Sequence, residues 1–581
     1  MNQTIRARIH DSAVRRVTRI YASTLSDVFL EALQNSRRGG ATRVHVSVAA
    51  MNDNPADGAA ATGETPFTVA VADDGIGIAD PAVLLSFGEN GWDEDLVRRE
   101  DAAGFGFASL SRRGCTVSSR PRSPDGRNMP GWTVDLEPKH FLGEAEAEVR
   151  AEDAAPFPHG TSISFRAVES AAGIRNAAAT AARHYPLPVI FADGTADGEE
   201  LPRRAFLDGA VHAEQWRGLA FGVFRDRHGG YNDPDLNFFG LTVAVRLPTV
   251  EAVHGPAWTV RADVGDCPGL ELVLPARKEA VENAFLKEMR EAARLAIYRA
   301  MAADPDPRPS YHDRKRAHEA GIDIAPPPPV LRPWRPGTAD VDDWRDPPKL
   351  AQAGHDALIM DCDPEPPEAQ ALWRAAERGG IASRLFEADR RLEGYACYGA
   401  IERIVRLHTE VTVGRRAWAL DKYPVPERAG GPEAPRRPDA IRIGLAVRPG
   451  EGAGRMIHLA ADLAFAGEAW SWVGDAQPQV TANADLAPWE LAQLMRASFF
   501  SPSDDADADS WERQRDVFDQ EALHIATKLL VSDDEARRTS IADAVARELF
   551  WLIPRDRAVA ISVRGRKVTV TLGEPVKEAV S

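Results

Sequence analysis

The chain has 581 residues, of which 44% are hydrophobic and 27% charged, and a formal net charge of -17. This is the profile of a folded protein of about three domains, and its acidic balance argues against passive binding to nucleic-acid phosphates. Cys115, Cys267, Cys362 and Cys397 lie far apart without a CxxC spacing, so no zinc or disulfide framework is expected and a reducing cytosol fits. The polar start "MNQTIRARIHDSAVRR" has no apolar signal core, and no apolar run reaches the roughly 18 residues of a membrane span. A cytoplasmic location, away from membranes, is the expectation.

In chain order, residues 1–22 read as a polar lead-in and residues 25–38 as a helix that Thr24 or Ser26 can cap. Val28, Phe29, Ala32 and Leu33 give that helix an apolar side; Asp27, Glu31, Gln34 and Asn35 give it a polar one. Gly39 and Gly40 end it, and a strand follows at 42–49. After a small-residue loop, "FTVAVADDGIGIAD" runs from a strand into a glycine turn. "PAVLLSFGENGW" reads as a short helix, "DEDLVRREDA" as a charged loop and "AGFGFASLSRRG" as a glycine turn feeding a helix. "CTVSSR", "WTVDLE" and "GTSISF" read as strands, which predicts an α+β two-layer sandwich over residues 1–168. A second α/β unit is expected over 169–304, with strands "LTVAVRL" and "WTVRADV", then a strand, a loop and a long helix within 270–301. Residues 305–350 read as a proline-rich linker. Residues 351–581 read as a third, mixed α/β region of unknown role, closing on a hairpin that turns at Arg564-Gly565.

Glu31 and Asn35 are spaced i, i+4 and so share one helix face. Alone, the pair reads as a solvated polar stripe or as a small piece of chemistry. Three further stretches follow it: "DDGIG" at a strand end (Asp73 to Gly77), "GFGFAS" (Gly104 to Ser109), and "HGTSISF" with Gly160 and Thr161. No GxxxxGK[ST] phosphate loop exists.

In their order and spacing these four stretches resemble the Bergerat-fold, or GHKL, ATPases: gyrase, heat-shock protein 90, histidine kinases and MutL. "QNSRRGGAT" is similar to MutL-type "ENSLDAGAT", "DDGIGI…LLSFG" to the corresponding part of MORC ATPases, and "GFGFAS" to the chaperone's "GVGFYS". The resemblance implies an ATP site with Mg²⁺. Asn35 would be the metal ligand, through a neutral amide oxygen. Glu31 would be the base that takes a proton from the attacking water. Asp73 would read the adenine amine, Gly75 and Gly77 would admit the base, and Thr161 would support Asp73 through a water. Gly104, Phe105, Gly106 and Phe107 would belong to a lid whose N–H groups face the phosphates.

The second unit's "LPARKEAVENAFL" resembles the chaperone middle-domain loop "LPLNLSRE", which supplies an arginine to the γ-phosphate. Arg277 matches that arginine, and Lys278 is the neighbouring candidate. Two departures bear on turnover. Arg37 and Arg38 stand where the family often has an aspartate, and "ENGWDED" is acidic where MutL and MORC carry a lid lysine. The resulting expectation is an ATPase that couples Mg-ATP binding to lid closure and domain rearrangement, chaperone-like, dimerising on ATP and acting on an unidentified protein client. The alternatives are a DNA-linked clamp of the MutL or MORC type, or a module that holds ATP without hydrolysing it.

Overall fold

The computed structural model describes residues 24–51, 66–86, 92, 106–123, 125–151, 157–194, 198–226, 235–273, 279–338, 346–424, 437–450, 453–467, 473–503, 505, 508–552, 557–565 and 567–574. The polar lead-in, the loop expected after the first strand, most of the expected lid, and Arg277 with Lys278 lie outside them. The chain divides into two units, Met1–Pro327 and Pro328–Ser581.

The first unit opens with α1 (Leu25–Arg38), capped by Thr24 rather than Ser26. The Asp27 N–H donates to Thr24 Oγ1 at 3.3 Å, while Asp27 Oδ2 accepts from the Thr24 N–H at 2.9 Å. This reciprocal pair satisfies donors that a helix start otherwise leaves open. Strands β1 (Val44–Ala50) and β2 (Phe67–Asp73) follow, and then the chain forms β3 (Cys115–Arg120) and β4 (Trp132–Leu136). A single helical turn, α2 (Pro138–Phe141), precedes β5 (Val149–Arg150) and β6 (Gly160–Ala167). The layer is completed by α3 (Ala171–Ala182), β7 (Val189–Ala192) and β8 (Glu199–Glu200). The eight strands pair in the order β5-β4-β3-β6-β2-β1-β7-β8. All neighbours are antiparallel except β1 and β7.

Alternation places Val44, Val46 and Val48 of β1 and Val69 and Val71 of β2 in one core with Val28, Phe29 and Leu33 of α1 and Ile174 and Ala178 of α3. The fold of this layer is α+β with helices on a largely antiparallel sheet. It continues past the expected boundary at residue 168, because β7 can pair with β1 only after α3 has carried the chain back across the sheet. The helix expected from "GFGFAS" is a short 3₁₀ turn, Gly106–Leu110. Gly114, with φ +69°, ends the segment by bonding its N–H to Leu110 O at 3.0 Å, so no longer helix has room. "PAVL" is likewise a 3₁₀ turn, Pro81–Leu84.

A second sheet completes this unit. Its strands are β9 (His212–Trp216), β10 (Leu219–Asp226), β11 (Leu236–Phe238), β12 (Leu241–Val243) and β13 (Ala257–Val264), in the order β12-β11-β13-β10-β9. Trp258, Val260, Ala262 and Val264 of β13 alternate inward onto α4 (Ala284–Ala303), which presents Met289, Ala293 and Ile297. The strand expected to run to residue 247 stops at Val243, because the Leu247 N–H leaves the ladder for Asp235 Oδ2 at 3.2 Å. The strand expected near 270 is reduced to one bridge, Leu272 to Ala280. The expected linker is built into both units. Ala317 of α5 (Tyr311–Glu319) and Ile324 are buried in the second-sheet core, and Trp334 is buried in the core of the second unit.

In the second unit β14 (Val330–Leu331) pairs with β15 (Ala351–Gln352). A further sheet uses β16 (Leu358–Met360), β17 (Leu385–Glu387), β18 (Glu402–Val413), β19 (Arg416–Ala419), β20 (Ala440–Arg448) and β21 (Arg455–Ala461). Helix α6 (Pro366–Arg378) packs on it and directs Arg374 and Arg378 onto Asp462, which is 5% exposed. The C-terminal hairpin turns at Arg564-Gly565, with Gly565 at φ +57°.

Candidate functional site

Helix α1 ends where the DDGIG loop begins, and glycines make that junction possible. The Gly39 N–H closes the helix on Asn35 O at 2.8 Å, and Gly40 takes φ +70°. The Gly39 carbonyl then accepts the Ile76 N–H at 2.8 Å. A Cβ on Gly75 would lie 2.7 Å from that same carbonyl and 2.9 Å from Asp73 Oδ1. Gly77 has φ +73°, and a Cβ there would lie 2.7 Å from Arg120 O. The approach of protein backbone therefore already requires glycine at 75 and 77, a reason the motif alone does not reveal.

Asp73 is the last residue of β2 and stands opposite Thr161 in the β2–β6 ladder. Its Oδ1 accepts the Gly75 N–H at 2.9 Å, and its Oδ2 accepts the Ser36 hydroxyl at 3.1 Å. Burial pushes the carboxyl above its ordinary value, opposed by the bonds from Gly75, Ser36 and Thr161. Asp74, its neighbour, has separate work: it accepts Thr42 N–H at 2.7 Å, Thr42 Oγ1 at 2.6 Å and Arg43 N–H at 3.2 Å, tying the turn to the entry of β1. Thr161 Oγ1 lies 3.3 Å from Ser119 Oγ, which also donates to Gly160 O at 3.2 Å and accepts the Ile78 N–H at 2.8 Å. His159 Nδ1 donates to Gly75 O at 2.9 Å. Ile76, between the two glycines, is 53% exposed and gives the site an apolar surface.

No motif in the sequence marks Ser36, Ser119 or His159. Ser36 carried one usable signal: it falls on the apolar side of α1, four residues after Ala32, whose carbonyl it also bonds at 3.0 Å. A hydroxyl on a core-facing helix position has to find a partner across the interface.

The polar side of α1 carries the remaining groups. Glu31 Oε2 is buried and has no hydrogen-bond partner among the described residues. Asn35 Oδ1 accepts from Arg38 Nη1 at 3.5 Å. The two arginines at the departure from the family pattern face different neighbours. Arg38 is on Asn35, whereas the Arg37 guanidinium lies 3.8 Å over the Phe239 ring of the second sheet. Gln34 joins Arg37 on that side, with Nε2 donating to Phe239 O at 2.6 Å. Of the expected lid, Gly104 and Phe105 lie outside the described residues, and Gly106 opens the 3₁₀ turn. Phe107 packs on the core, its ring 6.0 Å from that of Phe141.

The structure thus brings α1, the Asp73 loop and β6 together at one end of the central strands. An isolated buried carboxylate oxygen at Glu31, an amide oxygen one turn later, and a carboxylate with unused lone pairs at Asp73 fit a ligand that carries a cation and an amine donor. Among the described residues no group of three or more His, Cys, Asp or Glu is placed to hold a metal, so a cation here would rely on Asn35 and on its own ligand's oxygens. No helix among the described residues is long and apolar enough to cross a membrane.

No family model and no curated protein matches the chain. Among solved structures it is similar to the N-terminal domain of a DNA repair protein, at 13% identity over 48% of this chain and 96% of that one, TM-score 0.26. It is also similar to the B subunit of the DNA gyrase from Myxococcus xanthus, at 15% identity over 48% of this chain and 88% of that one, TM-score 0.28. Both likenesses are too slight to carry a functional inference.

Proposed function

We propose that the first unit binds ATP with Mg²⁺ and hydrolyses it, and that binding closes the lid and rearranges the two layers of this unit, in a chaperone-like cycle. The observation that supports this most is the setting of Asp73: a carboxylate at a strand end, fixed by Ser36 and the Gly75 N–H, next to a helix that offers Glu31 Oε2, without a hydrogen-bond partner among the described residues. Asp73 would accept the adenine amine, with Ile76 as apolar surface beside the base. Asn35 would hold the cation through its amide oxygen, and Glu31 would take the proton of the attacking water. ATP with its metal supplies the phosphoanhydride bond that is cleaved. Arg277 and Lys278 would add cationic stabilisation of the γ-phosphate.

The test separates binding from turnover. Glu31→Ala should keep ATP bound while hydrolysis falls on the order of 10²- to 10⁴-fold, the usual share of general-base catalysis. Hydrolysis at the wild-type rate in this variant would remove Glu31 from the mechanism. Turnover measured alone, with an unfolded protein and with DNA should rise with the unfolded protein. A rise with DNA alone would overturn the chaperone-like part.

A further inference from the structure

We infer that the first unit holds a second anion site, separate from the Asp73 site, which takes a small, multiply phosphorylated molecule. A cavity of ≈ 650 Å³ lies between α3, the segment after β8 and the second sheet. Arg183, Arg203, Arg204, Arg261 and His184 line it, and none of the described lining residues is acidic. In a chain of net charge -17, four guanidinium groups gathered around one cavity oppose the general trend.

Each arginine is positioned by the fold. Arg183 is the C-terminal cap residue of α3, exposed and without an ion pair among the described residues. Arg203 Nη1 donates to Pro186 O at 2.8 Å and its Nη2 to Glu200 Oε1 at 2.9 Å; Arg204 Nε donates to Asp208 Oδ2 at 3.1 Å. Arg261 alternates to the face of β13 opposite Trp258, Val260 and Ala262, with its guanidinium 4.9 Å over the Phe224 ring. His184 Nδ1 donates to Arg204 O at 2.9 Å, which leaves the other ring nitrogen for the cavity. The nearby carboxylates are already engaged: Glu200 and Asp208 hold arginines in place, and Asp263 accepts from Asn237 Nδ2 at 2.7 Å.

Guanidinium forks match phosphate oxygens two at a time, and several around one cavity select for several phosphates. The volume lies within the roughly 300–1,000 Å³ of small-molecule sites and excludes a folded partner. Leu30 and Phe206 add apolar wall for the non-phosphate part of the ligand. Leu30 sits on α1, one residue from Glu31, so occupancy touches the helix that carries the first site.

The experiment is calorimetric titration of the full chain with inorganic tripolyphosphate and, in parallel, with inorganic phosphate. Tripolyphosphate should bind more tightly than phosphate. Arg183→Gln and Arg261→Gln should each weaken tripolyphosphate about 10- to 100-fold, the loss expected for one charged hydrogen-bond partner. Asn35→Ala, at the proposed cation and phosphate end of the ATP site, should leave it unchanged, which keeps this site distinct from that one. The inference is overturned if tripolyphosphate does not bind, if it binds no better than phosphate, if Asn35→Ala abolishes it, or if Arg183→Gln, at an exposed position, leaves it unaltered.

Discussion

Replacing Asp73 by Asn is expected to abolish tight ATP binding without costing the fold anything. The local bonding can be redrawn around the amide. Asn Oδ1 can still accept the Gly75 N–H that Asp73 Oδ1 accepts at 2.9 Å. The Ser36 hydroxyl sits 3.0 Å from Ala32 O and 3.1 Å from Asp73 Oδ2, with one proton to give. Opposite an Asn it can give that proton to Ala32 O and accept from the amide. Burial raises the Asp73 carboxyl above its ordinary value, so the stability linked to this group is complete below that ordinary value and is lost as pH rises through the raised one. Above that raised value the wild type carries a buried negative charge that the variant lacks. Urea unfolding across a pH series should find the variant as stable as the wild type or more so above the raised value, with the difference vanishing as pH falls and Asp73 protonates. ATP affinity should move the other way, by about 10- to 100-fold, because a charged acceptor contributes about 1.5–3 kcal/mol. Calorimetry that finds ATP affinity unchanged refutes the adenine-reading role. A stability difference that does not change across the pH series refutes the account of the buried charge.

Two further changes test the frame and the coupling. Gly160→Ala places a Cβ against the Asp73 carbonyl at φ +123°, and should destabilise the first unit by about 1–3 kcal/mol or more, read as a lower urea midpoint with β2–β6 amides losing hydrogen-exchange protection; an unchanged midpoint would show that the ladder tolerates the side chain. Arg277→Ala with Lys278→Ala should leave ADP affinity nearly unchanged, lower hydrolysis and weaken ATP-specific protection of residues 88–106; normal hydrolysis with a lid that still closes on ATP alone would remove both residues from the mechanism.

The central elements were legible because their signals are local. The alternation of "VHVSVAA" and "FTVAVAD", the cap at Thr24 and the glycine stop at Gly39-Gly40 are each set by neighbours in sequence, and α1, β1 and β2 form within two residues of expectation. What was hidden depends on contacts between distant segments. Nothing near residue 189 says that β7 pairs parallel with β1, since that is decided by α3 crossing the sheet. The proline-rich 305–350 reads as a linker by composition, yet Ala317 and Trp334 fill cores on either side of the unit boundary. At the site, the motif pointed to Asp73 but not to Ser36, because a serine in a helix has no sequence mark of the strand end it will bond. The motif likewise gives no sign that the Phe107 ring packs against Phe141.

Helix α1 is a rod of 14 residues, about 21 Å long, gripped on three sides. Its core side is fixed by Phe29 and Leu33, its end by the Gly39 to Ile76 bond, and its outer side by Gln34 and Arg37 on Phe239. Such a rod cannot bend to absorb a push on the side bearing Glu31 and Asn35; it must tilt or stay still. A tilt of about 3° carries its far end about 1 Å, enough to part a 2.6 Å hydrogen bond such as that from Gln34 to Phe239. The Gln34 hydrogen bond and the Arg37 ring contact are thus the points at which a tilt of α1 would reach the second sheet.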